Sequence, residues 1–182
     1  MKCTSEIQNS VTSAKILFYL TFFVISIFSC KSNQQIKEKE QIVVVNQTLD
    51  AWHKAAAESK FELYFSLMTP DGVFLGTDPT ENWQNAAFRT FSKPYFDKGK
   101  SWNFSSIQRN VYFNDDYTIA WFDELLATQM KICRGSGVLK KQKGMWKIAH
   151  YVLSIAIPNE NTNEVVKIKS NFDNQLIEKI KK

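Results

Sequence analysis

The sequence predicts an α+β fold in which N-terminal helices pack on a strongly curved antiparallel sheet. Two patterns support this class. Apolar residues of the first half recur at i, i+3, i+4 and i+7 and so predict one buried helix face: Leu49, Trp52, His53 and Ala56. The second half instead contains strand-like segments separated by turns, at residues 118–126, 132–139 and 145–154.

The other elements follow in chain order. We expect a first helix over about residues 48–59, a short second helix over 60–68 and a strand at 73–75 after a turn. Thr80 begins the next helix, because a threonine side chain accepts hydrogen bonds from the free N–H groups of a first turn. Pro94 breaks or kinks that helix, since proline has no N–H to donate. A further strand covers about residues 102–113 and contains an irregularity.

The N-terminus has the features of an export signal. Lys2 and Lys15 precede an apolar run at residues 16–29, which is shorter than the about 20 residues that a membrane span needs. We therefore predict a signal peptide over residues 1–29. The segment Ile27–Cys30 resembles the lipobox of bacterial lipoproteins, which implies a lipidated Cys30 and a protein anchored to a membrane of the bacterial cell envelope. The alternative is an uncleaved anchor with an incidental cysteine.

The remainder is predicted to be a tether at residues 30–46, one domain at 47–160 and a C-terminal amphipathic helical tail at 161–182. The tail has its apolar residues at helical spacing, with lysines between them. Such a helix either docks on the domain or lies on a membrane surface.

Charge and cysteine content exclude several classes of protein. The net charge of +5 comes from scattered lysines, and no basic run is interleaved with aromatic residues, so we expect no nucleic-acid partner. Cys133 is the single cysteine left in the domain and is expected to be a core residue. The two histidines lie almost a hundred residues apart with no close ligand cluster, so we expect no metal site and no cofactor.

Charged side chains interrupt the apolar strands, at Asp123, Glu124, Arg134 and His150. Burying a charge without a partner is costly, so these groups are either paired or line a cavity. A tight turn near residue 128 would place Asp123 opposite Arg134, whereas a register shift of one would place Glu124 there. This pair would either bind an acidic ligand or form a structural ion pair.

Neither face of the strand at residues 119–126 is polar throughout, so neither should face bulk water. The helices cover one face, and a second copy of the protein is the simplest cover for the other. We therefore predict a homodimer.

The order of the elements, together with several segments, resembles the SnoaL-like branch of the nuclear transport factor 2-like domains over about residues 46–160. The matching segments are Ala51–Ala57, Gly72–Asp78, Ala120–Glu124, Arg134–Val138 and Trp146–His150 with Ser154. The resemblance implies a cone-shaped cavity between the sheet and the helices. It does not imply one reaction, since such domains include cyclases, isomerases, dehydratases and domains that only bind.

We expect the polar groups and walls of that cavity to come from six residues: His53, Asp78, Trp121, Asp123, Arg134 and His150. For most of these a purely structural role is the competing interpretation. Asp123 and His150 are the candidates for acid–base catalysis. The leading hypothesis is a non-catalytic, lipid-anchored domain that binds a small apolar or acidic molecule. The alternatives are a general acid–base enzyme of the cyclase, isomerase or dehydratase type, and an interaction module of the cell envelope.

Overall fold

The computed structural model describes residues 34–182, so the predicted signal peptide and Cys30 lie outside the described residues. The chain divides into two compact units, Met1–Gln47 and Thr48–Lys182. Helix α1 covers residues 34–57 and includes residues of both units. No helix within residues 34–182 is long and apolar enough to cross a membrane.

The described part of the predicted tether, residues 34–46, is helical. The physical reason is composition: Gln, Lys and Glu, which dominate the start of this segment, lose little side-chain freedom in a helix.

The second unit places its helices before most of its strands, which confirms the predicted α+β class. After α1 come α2 (Phe61–Ser66), β1 (Met68–Leu75), β2 (Asn82–Gln84) and α3 (Asn85–Asp97). The last strands are β3 (Ser105–Phe113), β4 (Ile119–Thr128), β5 (Lys131–Gln142) and β6 (Met145–Ile155). A short 3₁₀ turn, Asn159–Asn161, leads into α4 (Thr162–Ile180), in which no residue is buried.

The six strands form one mixed sheet in the order β2-β1-β6-β5-β4-β3. All neighbours are antiparallel except β1 and β6, which run parallel. Register shifts occur in three of the pairs: between Met68 and Val73, between Ser106 and Gln108, and between Val138 and Leu139. Such bulges bend a strand and increase its local twist.

One local prediction about α3 was wrong. The helix begins at Asn85 rather than at Thr80, because Thr80 closes a loop instead, with its N–H and hydroxyl both donating to Asp78 Oδ1. Pro94 lies inside the helix, which continues to Asp97, so the proline does not break it. The kink stays a prediction.

Candidate functional site

Strand β4 carries a carboxylate on its buried face. Alternation along the strand directs Ala120, Phe122, Glu124 and Leu126 inwards, and only 1% of the Glu124 surface is exposed. The other three residues of this face are apolar, so burying the face also buries Glu124.

Three side chains hold the Glu124 carboxylate. His53 of α1 donates its Nε2–H to Oε1 over 2.8 Å, and the Tyr151 hydroxyl of β6 donates to the same oxygen over 3.1 Å. Arg109 of β3 donates its Nε–H to Oε2 over 2.9 Å, and its Nη2 lies 2.8 Å from that oxygen. Both carboxylate oxygens are thus satisfied, which a buried charge requires.

Arg109 connects this buried group to the surface. Its Nη1 lies 2.8 Å from Asp50 Oδ1. The Asp50 side chain is 65% exposed, whereas that of Arg109 is 7% exposed and that of Glu124 is fully buried. Alternating charges therefore run from solvent inwards in the order Asp50, Arg109 and Glu124, and the His53 ring hydrogen-bonds to the last of them. We call these four residues the charged row.

The electrostatics keep Glu124 ionised. Burial raises the pKa of this carboxyl, but the hydrogen bond from His53, together with the Arg109 guanidinium, outweighs burial and holds the pKa below its ordinary value. Burial also raises the pKa of Tyr151 well above its ordinary value, and the negative Glu124 beside it adds to that effect. Glu124 is thus an acceptor whose lone pairs are already used, and is poorly suited to removing a proton from a substrate.

Gly135 of β5 makes room for the Glu124 carboxylate. A Cβ atom at this position would lie 2.3 Å from the Tyr151 hydroxyl and 2.9 Å from Glu124 Oε1. A methyl group here would displace the Tyr151 hydroxyl or the Glu124 side chain, so the hydrogen bond between these two residues depends on a glycine at this position.

His53 also borders a surface depression of about 270 Å³, which is polar over much of its wall. Since an ionised carboxylate only accepts, His53 Nε2 carries the proton of their hydrogen bond. The second ring nitrogen, Nδ1, has no hydrogen-bond partner among residues 34–182. A neutral His53 therefore has an acceptor nitrogen to offer a ligand. The wall is formed by Asp50, His53, Lys54, Ala57, Asn103, Phe104, Ser105 and Ser106.

Aromatic rings fill the space between α1, α3 and the sheet. Trp52 stacks on Tyr64 with ring centroids 4.8 Å apart, and Phe74 stacks on Phe88 at 4.3 Å. Tyr151 packs on both groups, at 4.8 Å from Trp52 and 5.6 Å from Phe74. The place where the resemblance implies a cone-shaped cavity thus contains packed aromatic rings, and the depression at His53 lies at their margin.

Four predicted site residues lie on the opposite, outer face of the sheet: Asp123, Arg134, His150 and Trp121. Arg134 is exposed and pairs with Leu125, so neither Asp123 nor Glu124 stands opposite it, and the predicted pairing was wrong. Asp123 pairs with Ser136 and accepts a hydrogen bond from Asn110 Nδ2 over 3.0 Å. Asp123 lies on the outer face because side chains alternate along β4, so Asp123 points outwards where Glu124 points inwards.

His150, Trp121 and Asp78 are also separate from His53. His150 is half-buried on the outer face, where it pairs with Val138. Trp121 is 45% exposed on the same face and stacks on Tyr112, with ring centroids 6.1 Å apart. Asp78 lies in the exposed loop before β2. His53 is thus the one predicted site residue that belongs to the charged row.

Sequence reasoning missed Arg109 and Asp50 and did not place Glu124 at the centre. One signal was present, because Glu124 shares a strand face with Ala120, Phe122 and Leu126, and an acid on an apolar face needs a cationic partner. The partner arginine could not be chosen, since Arg109 lies in a strand whose register shifts just before it.

Comparisons with known proteins agree with this architecture. The family described as SnoaL-like domain matches residues 45–158. A search of the curated proteins finds no match.

Solved structures share the fold at low sequence identity. A protein with a cystatin-like fold from Caulobacter vibrioides is 12% identical with a TM-score of 0.56, and the match covers 71% of this chain and 99% of that one. A nuclear transport factor 2-like protein from Pseudomonas putida is 14% identical with a TM-score of 0.53, covering 64% and 87%. A candidate dehydratase of the same family from Streptomyces avermitilis is 15% identical with a TM-score of 0.54, covering 66% and 99%. These likenesses support the cone-shaped α+β fold that the sequence predicts.

Proposed function

Since the chain belongs to the SnoaL-like domain family, we propose that it is a lipid-anchored binding domain of the bacterial cell envelope that holds a small molecule in the depression beside His53. One observation carries this proposal. His53 is 5% exposed, its Nε2 is fixed by Glu124, and its Nδ1 has no partner within the described residues. An acceptor nitrogen that the Glu124 hydrogen bond holds in place beside a depression can receive a hydrogen bond from a ligand at little cost in side-chain entropy.

The wall of the depression indicates the chemistry of the ligand. Nδ1 accepts a hydrogen bond, so the ligand presents a hydroxyl or another donor there. Asn103, Ser105 and Ser106 add neutral donors and acceptors. Asp50 and Lys54 add one charge of each sign, and Lys54 also pairs with Glu58. A small hydroxylated molecule fits these groups better than the purely apolar molecule that the sequence also allowed.

The charged row favours binding over catalysis. Glu124 has both oxygens engaged, and Arg109 is committed to two carboxylates. Neither group is therefore available to act on a substrate.

General acid–base catalysis is the second candidate, and one observation favours it. A histidine whose Nε2–H is held by a carboxylate has the tautomer and orientation in which the other nitrogen removes a proton. Turnover would then depend on His53 Nδ1 and would be lost in the His53→Gln variant. A bound ligand recovered unchanged after prolonged incubation supports the binding role.

The proposed ligand site is tested with the full chain purified from its native source. We expect native mass spectrometry to detect a bound small molecule, which the His53→Gln variant loses. Glutamine places its amide where Nε2 lies and so keeps a donor for Glu124, but it has no counterpart of Nδ1. The matched control is His150→Gln on the outer face, which should retain the ligand. A chain that carries no small molecule, or a His53→Gln variant that carries the same one, would refute the proposal.

The lipid anchor is tested separately by the mass of the mature chain. We expect cleavage before Cys30, an N-terminal mass increase corresponding to acyl chains, and recovery in the membrane fraction. More than one acyl chain is needed for stable anchoring. A Cys30→Ser chain should lack the added mass, and an unmodified Cys30 in the wild-type protein would contradict the anchor.

We also propose that the outer sheet face binds a second copy of the chain. This face exposes Tyr112, Ile119 and Trp121 by 40% or more, and exposed apolar surface of this kind marks association sites. Sedimentation of the detergent-solubilised chain should show a dimer that Trp121→Glu dissociates, whereas Phe172→Glu on α4 should leave it intact. A wild-type monomer at tens of micromolar would refute this association.

A further inference from the structure

A second pocket lies at the C-terminal end of α3 and shares no residue with the His53 depression. It has a volume of about 410 Å³, within the range typical of small-molecule sites. Its wall consists of Phe91, Pro94, Tyr95, Lys98 and Lys100. We call it the α3-end pocket.

One side of this pocket is an exposed aromatic surface. Phe91 is 37% exposed and Tyr95 is 47% exposed, and their ring centroids lie 5.5 Å apart. Trp83 stacks on Phe91 with centroids 4.6 Å apart and planes inclined by 18°. Because Trp83 fixes the Phe91 ring, the aromatic wall is formed before any ligand arrives, and stacking on it costs little side-chain entropy.

The other side carries two positive charges. Lys98 and Lys100 are exposed, and neither pairs with an acid within the part of the chain that the structure describes. The nearest acid in sequence, Asp97, is occupied by Lys93. The pocket therefore has a net positive charge that no neighbouring side chain neutralises.

The end of α3 fixes the backbone that carries both lysines. Gly99 adopts a φ of 62°, its N–H donates to Phe96 O over 3.0 Å, and the Lys100 N–H donates to Tyr95 O over 2.9 Å. These are the two hydrogen bonds of a Schellman motif. They satisfy two carbonyls that would otherwise repel an anion, and they hold the lysine backbone beside the Tyr95 ring.

We propose that the α3-end pocket binds a small planar carboxylate. Its ring stacks on Tyr95 and Phe91, and its carboxylate pairs with Lys98 and Lys100. An aromatic wall alone would accept any flat apolar molecule, and two lysines alone would accept any anion. Their juxtaposition selects for molecules that have both features.

Benzoate is the probe, and benzyl alcohol is its uncharged counterpart. Both are titrated into the isotopically labelled full chain in neutral detergent, and amide shifts are followed by NMR. We expect benzoate to bind more tightly than benzyl alcohol and to shift residues 91–100 while leaving residues 103–106 unmoved. The Lys98→Gln/Lys100→Gln variant should weaken benzoate about tenfold, since two exposed ion pairs are lost, without affecting benzyl alcohol.

Two further variants separate the aromatic wall from the charge. Tyr95→Ala should weaken both probes, whereas Tyr95→Phe should bind both like the wild type. The control Lys179→Gln/Lys181→Gln removes the same charge from α4 and should change neither affinity.

Three outcomes would overturn the proposal. These are equal affinity for the two probes, benzoate affinity that survives the loss of Lys98 and Lys100, and shifts of residues 91–100 that appear with anionic vesicles but not with benzoate. Failure of the His53 proposal would leave these results unchanged, because the two sites have no residue in common.

Discussion

Replacing Glu124 by glutamine tests the physical account of the charged row. The two side chains have nearly the same shape, so the packing against Gly135 is preserved. Glutamine still presents one oxygen to accept from His53 and Tyr151. Its amide nitrogen, however, is a donor facing the guanidinium of Arg109, which has only donors. The substitution thus removes one buried charge and leaves two hydrogen-bond donors, the glutamine amide and the guanidinium, facing each other.

The magnitude follows from burial. Removing one partner of a buried ion pair costs about 3–5 kcal/mol because the other charge remains uncompensated. Asp50 still holds Arg109 from the exposed side at 2.8 Å, which places the expected loss near the lower limit, about 3 kcal/mol. For a domain of this size, that loss lowers the midpoint of thermal unfolding by roughly 10 °C.

Urea unfolding at pH 7, monitored by circular dichroism, measures the difference in free energy of unfolding between the wild type and the Glu124→Gln variant. The matched control is Glu62→Gln, which breaks an exposed ion pair with Arg89 and should cost less than about 0.5 kcal/mol. In a double-mutant cycle, adding Arg109→Met to Glu124→Gln should restore about 1 kcal/mol or more of the free energy of unfolding, because the uncompensated guanidinium is then absent. If Glu124→Gln behaves like Glu62→Gln, the ion pair contributes no net stability and the reasoning fails.

Three further results are expected. Asp50→Asn should cost less than about 1 kcal/mol by urea unfolding, because this partner of Arg109 is mostly exposed and its charge is screened by solvent; a loss equal to that of Glu124→Gln would contradict the order of the row. Gly135→Ala should destabilise the domain by about 2 kcal/mol or more, because the new methyl group overlaps the Tyr151 hydroxyl; unchanged stability would show that the strands yield freely. Because the pKa of Glu124 is lowered in the folded state, the stabilisation that its charge provides is fully present above the ordinary pKa of 4.5 and is lost as the pH falls through the folded pKa. Acid titration should therefore destabilise the wild type more than the Glu124→Gln variant. Parallel curves of stability against pH would refute this assignment.

The elements with strong periodicity were predictable. The buried face of α1 and the hairpins from β4 to β6 appear close to the expected positions, because hydrophobic spacing reports local geometry. β2 was not predicted, because a strand of three residues is too short to show a hydrophobic period. It is recognised as a strand by its pairing with β1. The start of α3 was misplaced because Asp78 can cap a loop as well as a helix.

The charged row was harder to predict because it depends on long-range pairing. Asp123 and Glu124 are adjacent and chemically alike, and the two faces of β4 have similar apolar content. Local sequence therefore does not decide which acid is buried. His53 and Arg109 decide it, from 71 and 15 residues away in the chain. Predicting this site requires the register of β3 and the position of α1 together.

The parallel pairing of β1 with β6 has a consequence for the order in which the domain folds. Val73 and Phe74 are hydrogen-bonded neighbours of His150 and Tyr151, which the ribosome adds much later. β1 and β2 thus cannot join the sheet until the last hairpin has formed, whereas β3 to β6 can assemble by successive short turns. Closing so long a loop is entropically slow and leaves the aromatic first half exposed in the meantime. The export that we propose for this chain would gain from this delay, because the chain could still pass unfolded through a translocation channel until its final strand has been synthesised.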